Sequence, residues 1–254
     1  LTSGRKGSRG ADTARKHLEA ILLWWQWAED ESTDHGWVGI PRPPRKLRIA
    51  RSPRAIPTAP TWAQMDGCIE HCRTPWHRHL ATVLRFTGIR TGAALLLTWD
   101  DVDLDAGLLT LRPEITKGGY GGRRVPMSPH LVAELAGWGL REGFLVRAPE
   151  KERQAVRGEL NADTGKAIRG KVQSYLNGAW NRAGVPEVVW KRAPGKAFRR
   201  GFTSQLKAAR ADTESVEFLV GHKIESVRAS YLDTSALQAL MASAVRLVPA
   251  IGAA

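Results

Sequence analysis

Residues 87–111 read TGIRTGAALLLTWDDVDLDAGLLTL, and this stretch decides the fold. Gly88 closes a helix whose apolar face is Leu80, Val83 and Leu84, because glycine accepts the left-handed turn that ends helices. Arg90 follows, and Thr91–Leu97 has the length and composition of one further short helix. Asp100, Asp101, Asp103 and Asp105 then suit a helix cap and a turn. They lack the glycine and terminal glutamate of a calcium-binding loop. Leu108–Arg112 and Arg124–Met127 read as two strands of a hairpin. The tip between them, TKGGYGG at 116–122, is rich in glycine.

Outward from this centre the chain is helical. Thr61 to Cys72 is one helix, and Ser128-Pro129 starts another with Ser as cap and Pro in the first turn. Ile168, Val172, Tyr175, Leu176 and Ala179 stripe a helix ending at Gly184, with Tyr175 expected in the core. Helices are expected over 197–209 and 213–220, the latter closed by Gly221. A last helix begins near Ser235 and lines up Leu237, Leu240, Met241, Ala244 and Val248. That stripe suits either the chain's own core or a neighbouring copy. The fold class is therefore mainly α with a small antiparallel β-sheet (α+β).

Towards the start, residues 1–10 are glycine, serine and basic residues, read as a flexible arm. Leu18, Ile21, Leu22, Trp25 and Ala28 fall at helical spacing, and Trp24 and Trp27 widen that face. Residues 41–60 hold six prolines together with Arg42, Arg45, Lys46, Arg48, Arg51 and Arg54, and no acid. Such a segment forms neither helix nor central strand, and its one-sided charge suits a strap along a phosphate backbone.

The whole chain of 254 residues carries a net charge of +13. A polyanionic partner, double-stranded DNA, is the expectation. Two cysteines cannot build a disulfide framework, and no apolar run is long enough for a membrane span. No secretory signal opens the chain, so a cytoplasmic, nucleoid-associated location is expected. The first residue is Leu, as in a trimmed chain.

Cys68, His71, Cys72, His77 and His79 are zinc-ligand types, but their spacing fits no common finger, so no metal is expected. The glycine-rich tip lacks the pattern of a phosphate-cradling P-loop, and no serine-hydrolase or metalloprotease motif is present. A different set stands out. Arg90 follows a helix-ending glycine, and Lys117 sits at the hairpin tip. Lys196 and Arg199 lie three apart on one helical face, His222 follows Gly221, and Tyr231 comes nine residues later.

The stretch quoted above, TK with RRVPMS after it, KAFRRGFTSQL (196–206) and LVGHKIESVRASYLD (219–233) together resemble the tyrosine recombinases, or phage-type integrases. The resemblance covers about 58–245. It implies residues 1–40 as the remnant of an N-terminal core-binding helical domain, 41–60 as a basic linker, and 61–254 as the catalytic domain with its C-terminal helix. The rest of the core-binding domain is absent, so a fragment of a longer enzyme is expected.

The resemblance implies that Tyr231 attacks a DNA phosphate and leaves a 3′-phosphotyrosyl link. Arg90 and Arg199 would clamp the phosphate, and His222 would hydrogen-bond to it. Lys117 would protonate the departing oxygen, with Lys196 assisting proton transfer. Arg200 and the linker cations Arg42, Arg45, Lys46, Arg48 and Arg51 would contact DNA. Neither metal nor ATP would be needed, and assembly on DNA would be dimeric or tetrameric, through the C-terminal helix. Many family members carry an acid three positions after the first Arg, where this chain has Ala93. A type IB topoisomerase-like enzyme and a DNA-binding regulator without catalysis are the alternatives.

Overall fold

The computed structural model describes residues 11–35, 58–116, 122–139, 141–158, 162–191, 193–221 and 234–253. The chain divides into two compact units, Leu1–Ile56 and Pro57–Ala254. In the first, α1 (Ala11–His35) carries the tryptophan-rich stretch, with Leu23, Trp24 and Trp27 exposed along it.

In the second unit, local punctuation sets the elements. Thr61 and Gln64 form a reciprocal capping box that starts α2 (Trp62–Glu70). Thr74-Pro75 opens α3 (Pro75–Thr87), and Gly88 at φ +60° ends it. The short α4 (Thr91–Leu96) leads through a turn capped by Thr98 and Asp101 into the sheet. Asp103 accepts a hydrogen bond from the Ala106 amide, which makes the aspartate-rich segment a turn, as its composition implied.

The sheet is antiparallel in the order β1 (Val102–Asp103), β2 (Leu108–Leu111), β3 (Arg123–Pro126), with Leu109 opposite Val125 and Leu111 opposite Arg123. Leu109, Leu111 and Val125 face the core. Ser128 caps α5 (Pro129–Ala136), and there follow α6 (Glu150–Arg157), α7 (Ala162–Arg182), α8 (Glu187–Trp190), α9 (Pro194–Ala208), α10 (Thr213–Val220) and α11 (Thr234–Arg246).

The core lies where α9 packs on α3, with Leu80, Leu84, Phe86, Trp180, Phe198 and Phe202 fully buried. Within it Arg85 and Asp66 form a buried ion pair at 2.8 Å. Arg85 also donates to the Pro249 and Ala250 carbonyls, and Asp66 accepts from the Gly252 amide. The chain after α11 is thus stapled to α2 and α3. Helix α11 lies on α10 and β3 of its own chain, burying Met241, Ala244, Val245 and Val248.

Four sequence expectations are corrected. Strand β1 is a third strand, too short to show alternation. Strand β3 begins one residue earlier, at Arg123. Helices α6 and α8 were not foreseen; α6 buries only Ala155 and so shows no apolar stripe. Tyr175 is 52% exposed, since it stands at the margin of a stripe whose centre is Val172, Leu176 and Ala179.

Tyr175 borders a cavity of about 220 Å³ lined also by Cys72, Thr74, His77 and Arg182. Cys68 and Cys72 are free thiols, and among the described residues no group of three or more His, Cys, Asp or Glu is placed to hold a metal. No described helix is long and apolar enough to cross a membrane.

His77 is buried there, with Nδ1 bonded to the Thr74 hydroxyl and Nε2 without a partner among the described residues. Burial pushes its pKa down to about 4. The unfolded chain takes up this proton near pH 6.5 and the folded chain does not, so the stability contribution is present above about 6.5 and lost as pH falls towards 4. Between pH 7 and 4.5 the loss is expected to be about 2–3 kcal/mol for this group alone. Urea unfolding of wild type and His77→Gln at both values checks it; equal losses in the two proteins would refute the assignment.

Candidate active site

Three helix ends converge around two of the arginines singled out in the sequence. A Cβ on Gly88 would fall 2.6 Å from the Phe202 ring, so glycine is required both by φ and by space. The backbone then extends through buried Ile89 to Arg90, the N-cap of α4, whose side chain is exposed. At the start of α9, a Cβ on Gly195 would lie 2.1 Å from the Thr91 hydroxyl. That close approach sets the first turn of α9, with exposed Lys196, against the start of α4, with Arg90.

One turn along α9, Arg199 is half-buried. Its Nη1 donates to the Gly88 carbonyl at 3.1 Å and to the Val220 carbonyl at 2.5 Å. These are the carbonyl ends of α3 and α10, where unpaired acceptors and the helix dipoles favour a cation. Nη2 is buried without a hydrogen-bond partner among the described residues.

A third arginine joins them. Arg123, first residue of β3, donates from Nη2 to the Leu219 carbonyl at 3.3 Å. A Cβ on Gly221 would meet its guanidinium at 2.5 Å. Burial, then the charge of Arg90, lowers Arg123 to about 10. Burial, then Arg90 and Arg123, lowers Arg199 to about 10, with Glu217 acting the other way. A small cavity of about 10 Å³, one water in size, lies between Arg90, Ala93, Thr116, Arg123 and Val220. Among the described residues no carboxylate lines it. Guanidiniums held together against their own repulsion, with donors still unspent, form a site for an oxyanion, and the forked donors match phosphate oxygens.

The structure thus brings together Arg90, Lys196 and Arg199. Lys117, His222 and Tyr231 lie outside the described residues, as do Arg42, Arg45, Lys46, Arg48 and Arg51. Gly221, at φ +73°, closes α10 immediately before His222, and the β2–β3 register brings together the two ends of the connection within which Lys117 falls in sequence. Arg200 turns away from this site. Its Nη2 donates to the Val189 carbonyl and ties α9 to α8, and burial lowers its pKa. Arg123 was missed in the sequence. The available signal was the strand period, since it shares a face with buried Val125 while Arg124 is exposed.

The sequence model of the phage integrase family matches residues 62–237. The chain belongs to the phage integrase family. Among curated relatives of this integrase-family chain, tyrosine recombinase XerC of Xanthomonas campestris pv. campestris is 23% identical over 229 residues, covering 87% of this chain and 64% of that protein. XerC of Xanthomonas axonopodis pv. citri is 22% identical over 219 residues, with 84% and 64% covered. The chain therefore spans about 64% of the length of the curated relatives it matches.

Solved structures place the integrase fold. The integrase from mycobacterium phage Brujita superposes with a TM-score of 0.56 at 19% identity, covering 96% of this chain and 74% of that one. A lambda integrase dimer bound to a COC′ core site gives 0.51 at 16% identity, covering 84% and 72%. The mainly helical fold with one small sheet is thus that of integrases.

Proposed function

We propose that this chain is the catalytic part of a site-specific DNA recombinase that breaks and rejoins strands through a covalent 3′-phosphotyrosyl intermediate, in the service of integration or excision. The observation that carries the reading is the convergence of Arg90 and Arg199 on the ends of α3 and α10, beside a cavity with no carboxylate among its described lining residues. Membership of the phage integrase family supports it. On this reading 1–40 is the end of a core-binding domain, 41–60 a basic linker and 61–254 the catalytic domain.

The chemistry follows from the residue types. Cleavage builds negative charge on the non-bridging oxygens of a five-coordinate phosphorus. Arg199, held on two helix-end carbonyls before DNA arrives, and Arg90 beside it stabilise that charge, with His222 adding a hydrogen bond. The Tyr231 oxygen attacks phosphorus, the bond to the 5′-oxygen breaks, and Lys117 gives that oxygen a proton. A phenol with a pKa near 10 needs this cationic setting, and Lys196, to lose its own proton. The phosphotyrosyl ester keeps the energy of the broken bond, so rejoining is the reverse step and needs no ATP. Arginine, lysine and histidine supply the charge that a metal would otherwise bring.

The linker cations Arg42, Arg45, Lys46, Arg48 and Arg51 would track the DNA backbone, making binding strongly salt-dependent. Arg200, bonded to Val189, would act on DNA only through the placement of α9. Assembly on DNA would be dimeric or tetrameric, and α11, now folded on its own α10 and β3, would have to exchange between copies to mediate it. The cytoplasm, on the nucleoid, is where such a substrate lies.

The test is trapping on nicked duplexes of the element's attachment site, in EDTA, followed by a denaturing gel. A covalent protein–DNA band is expected, absent from Tyr231→Phe while that variant binds DNA as wild type does. Relaxation of any supercoiled plasmid by a monomer would favour the topoisomerase-like alternative. Salt-sensitive binding without a band would favour a regulator, the reading to which Ala93, in the wall of the cavity, lends support.

A further inference from the structure

We propose that Arg123 is a positioning residue for the hairpin that carries Lys117, pinning the base of that hairpin to the end of α10. The inference rests on the reading of Lys117 as the acid for the leaving oxygen. Arg123 stands opposite Leu111, the last residue of β2, and so forms the final rung of the ladder before the tip. The β2–β3 ladder is only four pairs long, and β3 is an edge strand. The ladder ends at this rung, so an anchor at Arg123 acts on the last residue that the pairing itself positions.

The side chain supplies an anchor from outside the sheet. It crosses to a helix 96 residues away and donates to the Leu219 carbonyl. It lies flat over Gly221, where a Cβ would fall within 2.5–2.6 Å of three guanidinium atoms. Its Nε is buried without a partner, and no carboxylate pairs with it among the described residues. A half-buried guanidinium with an unsatisfied buried Nε and two arginine neighbours is a poor stabiliser, and an apolar side chain would pack there at lower cost. What the arginine gives in return is a fixed distance between the hairpin base and the turn leading into His222.

The alternative role, direct contact with the phosphate, follows from the cavity that Arg123 shares with Arg90. The two are separated by the leaving group. In a DNA with a 5′-bridging sulfur at the cleavage site, the departing thiolate, with a pKa near that of cysteine, needs no acid. A defect in proton delivery is then rescued, and a defect in charge stabilisation is not.

The experiment measures single-turnover cleavage of both DNAs by wild type, Arg123→Gln, Lys117→Ala and Arg90→Ala. Arg123→Gln is expected to lose about 30-fold or more on ordinary DNA and to come within about threefold of wild type on the sulfur DNA. Lys117→Ala is expected to be rescued likewise and Arg90→Ala not. An Arg123→Gln protein equally slow on both DNAs, or as fast as wild type on ordinary DNA, overturns the proposal. Lys117→Ala failing to be rescued overturns the reading beneath it, whatever Arg123 does. Thermal unfolding and DNA affinity are followed in parallel. If Arg123→Gln does not fold, Arg123→Lys carries the comparison, with the same rescue expected in smaller measure.

Discussion

Replacing Arg85 with methionine is expected to destabilise the 57–254 unit by about 3–5 kcal/mol. Arg85 is fully buried, and its guanidinium lies 2.8 Å from an Asp66 carboxylate that is itself 3% exposed. It also sits 4.7 Å from the Trp62 ring centre and 4.5 Å from that of Phe86. Removing it strands the carboxylate in the core, and also removes the donors of the Pro249 and Ala250 carbonyls. Replacing both partners, as Arg85→Met with Asp66→Leu, removes the stranded charge and is expected to recover more than half of the loss. Urea unfolding of the two single variants and the double checks this, and a single-variant loss below about 1 kcal/mol would contradict it. Hydrogen exchange should also rise first over residues 247–253, because the pair is what holds them.

Most of the fold was legible because its boundaries are written locally. Gly88 and Gly221 take positive φ where helices end, and Thr61 and Ser128 cap where helices begin. A residue and its cap are neighbours, so the sequence contains both partners. The misses lie where local signal is absent. Strand β1 has two residues. Helix α6 buries Ala155 and packs Val156 part-buried against the core, too few apolar positions to make a stripe. Arg85, in the run Leu84-Arg85-Phe86, is buried only because a partner 19 residues earlier and carbonyls more than 160 residues later come to meet it. Nor did the stripe of α11 reveal which surface it covers; the structure folds it onto its own chain.

The candidate site divides the same way. Arg90 and Arg199 were found because each belongs to a quotable motif, yet their meeting depends on contacts of 111 residues' separation between Arg199 and Gly88. Arg123 and Arg124 are chemically identical neighbours, and only the pleat of a four-residue strand turns one inward. Arg199 and Arg200 pose the same problem on a helix, and here the structure separates the roles of two adjacent arginines.

That separation gives the second large effect. Arg199→Lys is expected to slow DNA cleavage by about 10²–10³, because one ammonium cannot hold two helix-end carbonyls and still present a fork to the phosphate. Arg199→Met should be slower still. Fold stability should fall by less than about 2 kcal/mol in either case. In Arg199→Met the lost bonds to the Gly88 and Val220 carbonyls are offset by relief from the charges of Arg90 and Arg123, the same charges that help lower Arg199 to about 10, whereas the ammonium of Arg199→Lys keeps the charge and can still donate to a helix-end carbonyl. Total DNA affinity should drop less than tenfold, since one phosphate contact among many is removed. Arg200→Lys should do the reverse. Loss of the Val189 tie costs stability, and cleavage per folded molecule stays within about threefold of wild type. Single-turnover cleavage normalised to the folded fraction distinguishes the two. If both lysine variants lose cleavage in proportion to stability, Arg199 is a structural arginine like its neighbour, and the oxyanion site loses its centre.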